Sequence, residues 1–198
     1  MKTLKKGSKG VDPSVVYAPL KCCISKSPNR EIKYIVIHYT AGASSAAGKA
    51  RGMKSSWEAT KRASADFGVD DREVVQFTPD PLNYYCWAVS GGNGIYNSNS
   101  ISIEMCSNLK RGTSVKYPNH EGWYFTEATL SNAVRLAKIL MAKFNIPLER
   151  VVRHYDVTKK SCPGVPGWND GALYNTDGTK TGRKNDSSAW LAFKERLK

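Results

Sequence analysis

No apolar run in these 198 residues approaches the roughly 20 needed to span a bilayer as a helix, so the chain is expected to be soluble. The N-terminus, Met1 to Gly10, is basic. It lacks the apolar stretch of about 7–15 residues that an export signal places after its charges, which predicts synthesis and retention in the cytosol until something releases the protein. Cysteine is present in an odd number: Cys22, Cys23, Cys86, Cys106 and Cys162. Without an export signal, that count argues against a disulfide framework and for individual thiols, some buried and one available to a metal. The adjacent Cys22 and Cys23 read as packing residues, since free cysteine is commonly a small buried hydrophobe. Internal repeats, low-complexity linkers and a convincing second domain are also missing.

Acidic residues are outnumbered, 17 against 30 Lys and Arg, for a formal charge of +13. Such a charge draws the protein toward polyanions: nucleic acid, anionic lipid or an acidic wall polymer. No basic helix, aromatic RNA-binding signature or helix-turn-helix pattern accompanies it, so no specific nucleic acid is expected as partner. Hydrophobic residues at 40% and charged residues at 24% are ordinary for a globular domain, and the length suits one core.

The segment from Glu31 to Thr40, EIKYIVIHYT, becomes a continuous apolar run rich in β-branched and aromatic residues, the pattern of a strand buried on both faces. After a small, flexible stretch, AGASSAAGKA, the spacing of Ala50, Met53 and Trp57 predicts a helix over much of Gly48 to Lys61. ADFGVDDREVVQF, from Ala65 to Phe77, reads as a hairpin about an acidic turn. NSNSISIEMCS alternates cleanly, with Ile101, Ile103 and Met105 facing one way and Ser102, Glu104 and Cys106 the other. Thr126 can cap a helix carrying Leu130, Val134, Ala137, Met141 and Phe144. A short strand over Arg150 to Arg153 leads to His154, a Gly/Asn/Asp-rich loop runs from Gly164 to Asp186, and Trp190, Phe193 and Leu197 mark a closing helix. Interleaved strands and helices predict an α/β (α+β) domain with a central mixed β-sheet flanked by helices.

Only three histidines occur, and two end β-like segments: His38 in YIVIHYT and His154 in VVRHYD. Cys162 follows eight positions after His154 in HYDVTKKSCPG, with Pro163 and Gly164 turning the chain behind it. Two imidazoles and a thiolate match zinc, and three protein ligands leave a fourth position for water. The spacing alone does not establish such a site. A lone strand histidine is more often a satisfied core residue, and a lone cysteine more often a buried one.

These segments resemble the zinc-dependent N-acetylmuramoyl-L-alanine amidases of phage lysins and bacterial autolysins, a family related in fold to peptidoglycan recognition proteins. The resemblance runs from about Ile32 to Gly164, in the family's order, through IVIHYTAG, SADFGVDD, YYCWAVSGG, NSNSISIEM and RHYDVTKKSCPG. It implies that His38, His154 and Cys162 hold Zn2+, that Glu104 transfers protons and that Lys160 stabilises the developing oxyanion. Trp87 and Asn99 match positions near the substrate groove. The reaction implied is hydrolysis of the amide between N-acetylmuramic acid and L-alanine in bacterial peptidoglycan, by one catalytic domain over residues 1–198. Residues 1–30 are then an N-terminal extension and 165–198 an active-site loop with the closing helix. No separate wall-binding domain is evident, the protein is expected to be a monomer acting at the cell wall after release, and its basic surface is available to anionic wall polymers.

Two departures matter. Some phage members place a tyrosine just before the Phe67 position, where Ala65 and Asp66 stand here, so proton transfer falls to Glu104 alone. Many have Trp-His-Ala where this chain has Trp87, Ala88 and Val89, so a groove histidine is missing. The alternative is a non-catalytic peptidoglycan-binding module, which tends to lose the thiolate ligand. A purely structural zinc site would need a fourth ligand from Cys86, Cys106 or His120. Asp156 is expected to be a turn residue or to orient a metal-bound imidazole rather than to be a ligand, and His120 in YPNHEGW to be exposed.

Overall fold

A computed structural model describes residues 10–12, 14–42, 49–111, 113, 117–175 and 177–198. Most of the stretch expected to be flexible between residues 41 and 50, and all but the last residue of Met1 to Gly10, lie outside the described residues. In chain order the first elements are β1 (Val16–Tyr17), β2 (Ile24–Lys26), β3 (Tyr34–Tyr39), α1 (Lys49–Thr60), β4 (Phe67–Val69), β5 (Val74–Gln76) and β6 (Tyr84–Cys86). Then come β7 (Ser100–Met105), β8 (Asn108–Leu109), β9 (Trp123–Tyr124), α2 (Glu127–Phe144), β10 (Val151–Arg153) and α3 (His154–Thr158). The hairpin β11 (Ala172–Tyr174) and β12 (Lys180–Lys184) precedes the closing α4 (Ser188–Glu195). None of the described helices is long and apolar enough to cross a membrane.

The main sheet has the order β1-β5-β4-β7-β3-β10. All neighbours run parallel except β4 and β5, which form the hairpin expected about the acidic turn, so the sheet is mixed as the sequence predicts. The alternation along β7 and β3 sorts their side chains. Ile35, Ile37, Ile101, Ile103 and Met105 face a core closed by α2 and α4, with Trp168, Trp190 and Phe193 stacked at its edge. On the opposite face Val36 joins Val89, Ile95 and Val157, while Val75 and Phe77 pack with Ala50 and Met53 of α1. Between these two smaller clusters, at the carboxyl ends of β3 and β7, lie His38 and Glu104. Open parallel sheets characteristically bind their ligands at that edge.

Thr126 caps α2 as expected, its hydroxyl accepting from the Thr129 N–H at 3.1 Å, and Asn145 in the left-handed region ends it. The face that is buried differs from the predicted stripe. Thr129, Ala133, Leu136, Ala137 and Leu140 are buried, whereas Leu130, Val134, Met141 and Phe144 are only partly so. Small Ala133 and Ala137 let the helix approach the sheet closely, and the larger side chains flank the contact. The expected loop from Gly164 to Asp186 contains the antiparallel hairpin β11–β12, which pairs Ala172 with Lys184 and Tyr174 with Lys180. Its composition hid the strand pattern because β12 is mostly exposed.

The segment before residue 30 adds β1 to the sheet edge and pairs β2 antiparallel with β6. A buried strut ties it to β7. Arg30 donates to Pro81 O, Asn97 O and Ser100 O at 2.6, 2.7 and 2.9 Å. Its remaining Nη2 faces Asp66 Oδ1 at 3.8 Å, and Asp66 Oδ2 accepts the Ser102 N–H at 2.9 Å. Burial pulls the arginine down and pushes the aspartate up, so each charge depends on the other. Asp66 thereby serves the ladder of β7 at a point where β4 has not yet begun.

Candidate metal centre and cleft

His38 sits one residue before the end of β3, with Glu104 directly opposite it in the parallel register of β7. Paired residues of neighbouring strands point to the same face, so imidazole and carboxyl share one wall. His154 arrives differently from the expected strand end: β10 stops at Arg153 and His154 is the first residue of α3. That helix lasts five residues. Lys159, at φ 63, then reverses the chain, with its N–H on Tyr155 O. The return is fixed by Tyr155 N–H on Cys162 O at 2.8 Å and Cys162 N–H on Lys160 O at 2.7 Å. One helical turn and one left-handed residue therefore convert an eight-residue separation into side-by-side His154 and Cys162.

The ligating atoms of His38, His154 and Cys162 lie within 4.8 Å of one another, and all three residues are buried. The Cys162 Sγ is 3.8 Å from His38 Nδ1, and the imidazole rings are 4.7 Å apart between centroids. His154 Nδ1 and His38 Nε2 are buried with no hydrogen-bond partner among the described residues. Unpartnered buried nitrogen is costly, and a cation coordinated by His154 Nδ1 would remove that cost, whereas the His38 nitrogen that faces Cys162 is Nδ1. Nitrogen and sulfur donors of this number and spacing fit zinc in a site with an open position. Cys86, Cys106 and His120 stay outside the cluster, so no fourth protein ligand joins it among the described residues.

In the metal-free protein the electrostatics suit the two imidazoles as donors, while the thiol must still lose its proton to bind. Burial drives His38 well below its ordinary range and His154 down to about 4, with the Lys160 ammonium adding to both. Both rings are therefore neutral, as ligands must be. Burial, reinforced by Glu104, pushes the Cys162 thiol up to about 12. Glu104 is raised to about 8 by burial, with Lys160 pulling the other way. Lys160 is exposed, yet its charge acts on all four groups.

These five residues line one cleft of about 500 Å³, whose walls include Tyr39, Trp57, Ser64, Ala88 and Pro118. Tyr39 was legible only as the end of a strand. Its phenol lies over Gly164, where a Cβ would meet Tyr39 Oη and lie 2.6 Å from Pro118 Cβ, so glycine is needed just behind the cysteine. Trp87 is 40% exposed and does not line the cleft itself, but its backbone N–H donates to Oγ of Ser64 in the cleft wall at 2.9 Å and its indole to Ser25 Oγ at 2.9 Å. Asn99 does not reach the cleft. It precedes the opposite end of β7, where Oδ1 accepts from Tyr96 N–H at 2.8 Å and Nδ2 donates to Gly94 O at 2.9 Å. Its amide closes a loop, a role that a motif match does not distinguish from substrate contact.

Two further expectations are corrected. Asp156 holds Arg153 rather than an imidazole, with Arg153 Nη2 at 2.6 Å and the Arg153 N–H at 2.8 Å. His120 is buried, 1% exposed, with Nδ1 accepting from the Gly122 N–H at 2.9 Å. The polar loop around it suggested solvent, but its backbone pairs with the β11–β12 hairpin, His120 bridging to Tyr174 and the Tyr174 N–H donating to Asn119 O.

Residues 28–165 match the family described as N-acetylmuramoyl-L-alanine amidase. The chain is 38% identical over 133 residues to the N-acetylmuramoyl-L-alanine amidase XlyA of Bacillus subtilis, an alignment covering 66% of this chain and 39% of that protein. It is 32% identical over 140 residues to the amidase CwlA of the same organism, covering 70% of this chain and 46% of the relative. The chain thus spans less than half the length of these curated relatives. Among solved structures, the catalytic domain of XlyA superposes with a TM-score of 0.62 at 28% identity, over 93% of this chain and 99% of that one. A mutant endolysin from Bacillus subtilis superposes with a TM-score of 0.64 at 26% identity, over 93% and 98%.

Proposed function

The chain belongs to the N-acetylmuramoyl-L-alanine amidase family, and from that premise we propose that it hydrolyses the amide joining N-acetylmuramic acid to the L-alanine of the peptidoglycan stem peptide. His38, His154 and Cys162 hold Zn2+ in this reading. The observation that carries it is the cluster of His38, His154 and Cys162, with His154 Nδ1 buried and unpartnered among the described residues, opening onto a cleft whose wall bears Glu104 in register with His38.

Zinc held there by His38, His154 and Cys162 would supply Lewis-acid polarisation of the substrate carbonyl and lower the pKa of a bound water to about 7. Glu104 accepts the proton of the attacking water and delivers it to the departing amine nitrogen. Burial suits it to that second task, because a carboxyl raised to about 8 can hold a proton near neutral pH. Lys160, an exposed cation at the cleft, meets the negative carbonyl oxygen as the tetrahedral species forms. Trp87, exposed and bonded through its backbone to Ser64 of the cleft wall, offers an apolar face to the glycan or peptide. The pairing of β1 with the sheet and the packing of α4 into its core support treating residues 1–198 as one catalytic domain.

The protein acts, on this reading, at the bacterial cell wall, where its +13 charge draws it to anionic wall polymers. Wall binding should then weaken as salt screens the charge, and binding insensitive to salt would remove that partner. Replacement of Cys162 tests the metal assignment: Cys162→Ala is expected to lose zinc and activity together. Full activity in a zinc-free Cys162→Ala protein would overturn it.

A further inference from the structure

Of the five thiols, Cys23, Cys86, Cys106 and Cys162 are buried, and Cys22 alone is partly exposed. Cys22 and Cys23 are sequence neighbours, and their Sγ atoms stand 3.2 Å apart. That proximity is held from outside the pair. Cys23 has φ 60, a left-handed conformation that brings its side chain round beside its neighbour's. Its carbonyl accepts the Ser64 hydroxyl at 2.5 Å, and its Sγ lies 3.6 Å from Trp57 O. Ser64 and Trp57 also line the cleft, so the turn carrying the two thiols backs onto the cleft wall.

We propose that Cys22 and Cys23 form a vicinal dithiol site that closes into a disulfide by exchange with a small organic disulfide. The Cys22 thiolate attacks one sulfur of the reagent RSSR and expels one RS−, which takes the proton lost from Cys22 and leaves a mixed disulfide on Cys22. Cys23 then gives up its proton and attacks the Cys22 sulfur, expelling the second RS− as RSH. Two protein thiols are oxidised and one disulfide is reduced to two thiols. Exposure selects Cys22 for the first step, since access governs exchange. Burial and the neighbouring sulfur push Cys23 up to about 11, which keeps it a thiol until the mixed disulfide forms beside it. To bond, the sulfurs must close from 3.2 Å to about 2.05 Å. Adjacent Cα atoms are about 3.8 Å apart, short of the usual disulfide span, so excess thiol should reopen the ring. Cys86, Cys106 and Cys162 offer the mixed disulfide no comparably placed partner.

The site is tested on the folded 198-residue chain with oxidised glutathione, followed by acid quenching, alkylation with iodoacetamide under denaturing conditions, trypsin and mass spectrometry. Cleavage after Lys21 and Lys26 leaves both thiols in one peptide, Cys-Cys-Ile-Ser-Lys. The expected product is that peptide unalkylated and about 2 Da lighter than its dithiol form, recovered doubly alkylated when excess dithiothreitol is applied before the iodoacetamide. In Cys22→Ser the peptide should instead be recovered alkylated at Cys23, with no glutathione adduct. A doubly alkylated peptide after treatment of the wild type, or a glutathione adduct that persists on Cys22 without closing, would overturn the proposal.

Discussion

His38 and Glu104 are register partners across two parallel strands, the imidazole of β3 and the carboxyl of β7 rising from the same face at the carboxyl edge of the sheet. The pairing sets the proposed proton carrier beside a proposed metal ligand. Glu104→Gln preserves shape and removes the proton acceptor. Its zinc content and melting temperature are expected to match the wild type while turnover falls about a hundredfold or more. Wild-type turnover in this variant would remove Glu104 from the mechanism.

Zinc uptake should release protons in a countable way. At pH 7 the imidazoles are already neutral, with His154 at about 4, whereas the Cys162 thiol, at about 12, is protonated. Coordination must displace that proton, and a dication beside Glu104, at about 8 in the metal-free protein, favours losing a second. Binding that releases protons tightens as pH rises. Calorimetry in buffers of different ionisation enthalpy should therefore find release of roughly one to two protons per zinc at pH 7, falling toward one in Glu104→Gln. Proton uptake on binding would contradict the charge states derived for the site.

In the proposed mechanism Lys160, which lines the cleft, acts on the transition state rather than on binding. Lys160→Ala is expected to lower kcat by about a hundredfold with little change in KM or zinc content, as loss of a single oxyanion donor does. A raised KM at unchanged kcat would instead make it a substrate contact.

The strut between Arg30 and Asp66 predicts a stability effect separate from the chemistry. Arg30→Ala leaves Asp66 buried without its counter-charge and frees three backbone carbonyls. Loss of about 3–5 kcal/mol of unfolding free energy is expected, measured by chemical denaturation. A loss below about 1 kcal/mol would show that solvent reaches Asp66.

Periodicity made β3, β7, α1 and the hairpin β4–β5 readable in the sequence, because each is buried on a defined face and its pattern is strong. The ligand set was not readable from spacing. Eight residues between His154 and Cys162 carry no zinc signature until α3 and the left-handed Lys159 fold them back, and that reversal depends on contacts with Cys162 O and Lys160 O. Resemblance supplied the assignment, and geometry then separated its parts. Glu104 and Lys160 meet the cluster at one cleft, whereas Asn99 closes a loop at the far end of its strand. Burial of His120 was hidden for another reason: local polarity describes the chain around a residue, not the hairpin that folds over it.

The central claim is the bond cut. Purified peptidoglycan digested with the zinc-loaded protein should yield new L-alanine amino groups and no new reducing sugars. New reducing ends without free L-alanine amino groups, or binding to the polymer with no new ends of either kind, would contradict the account.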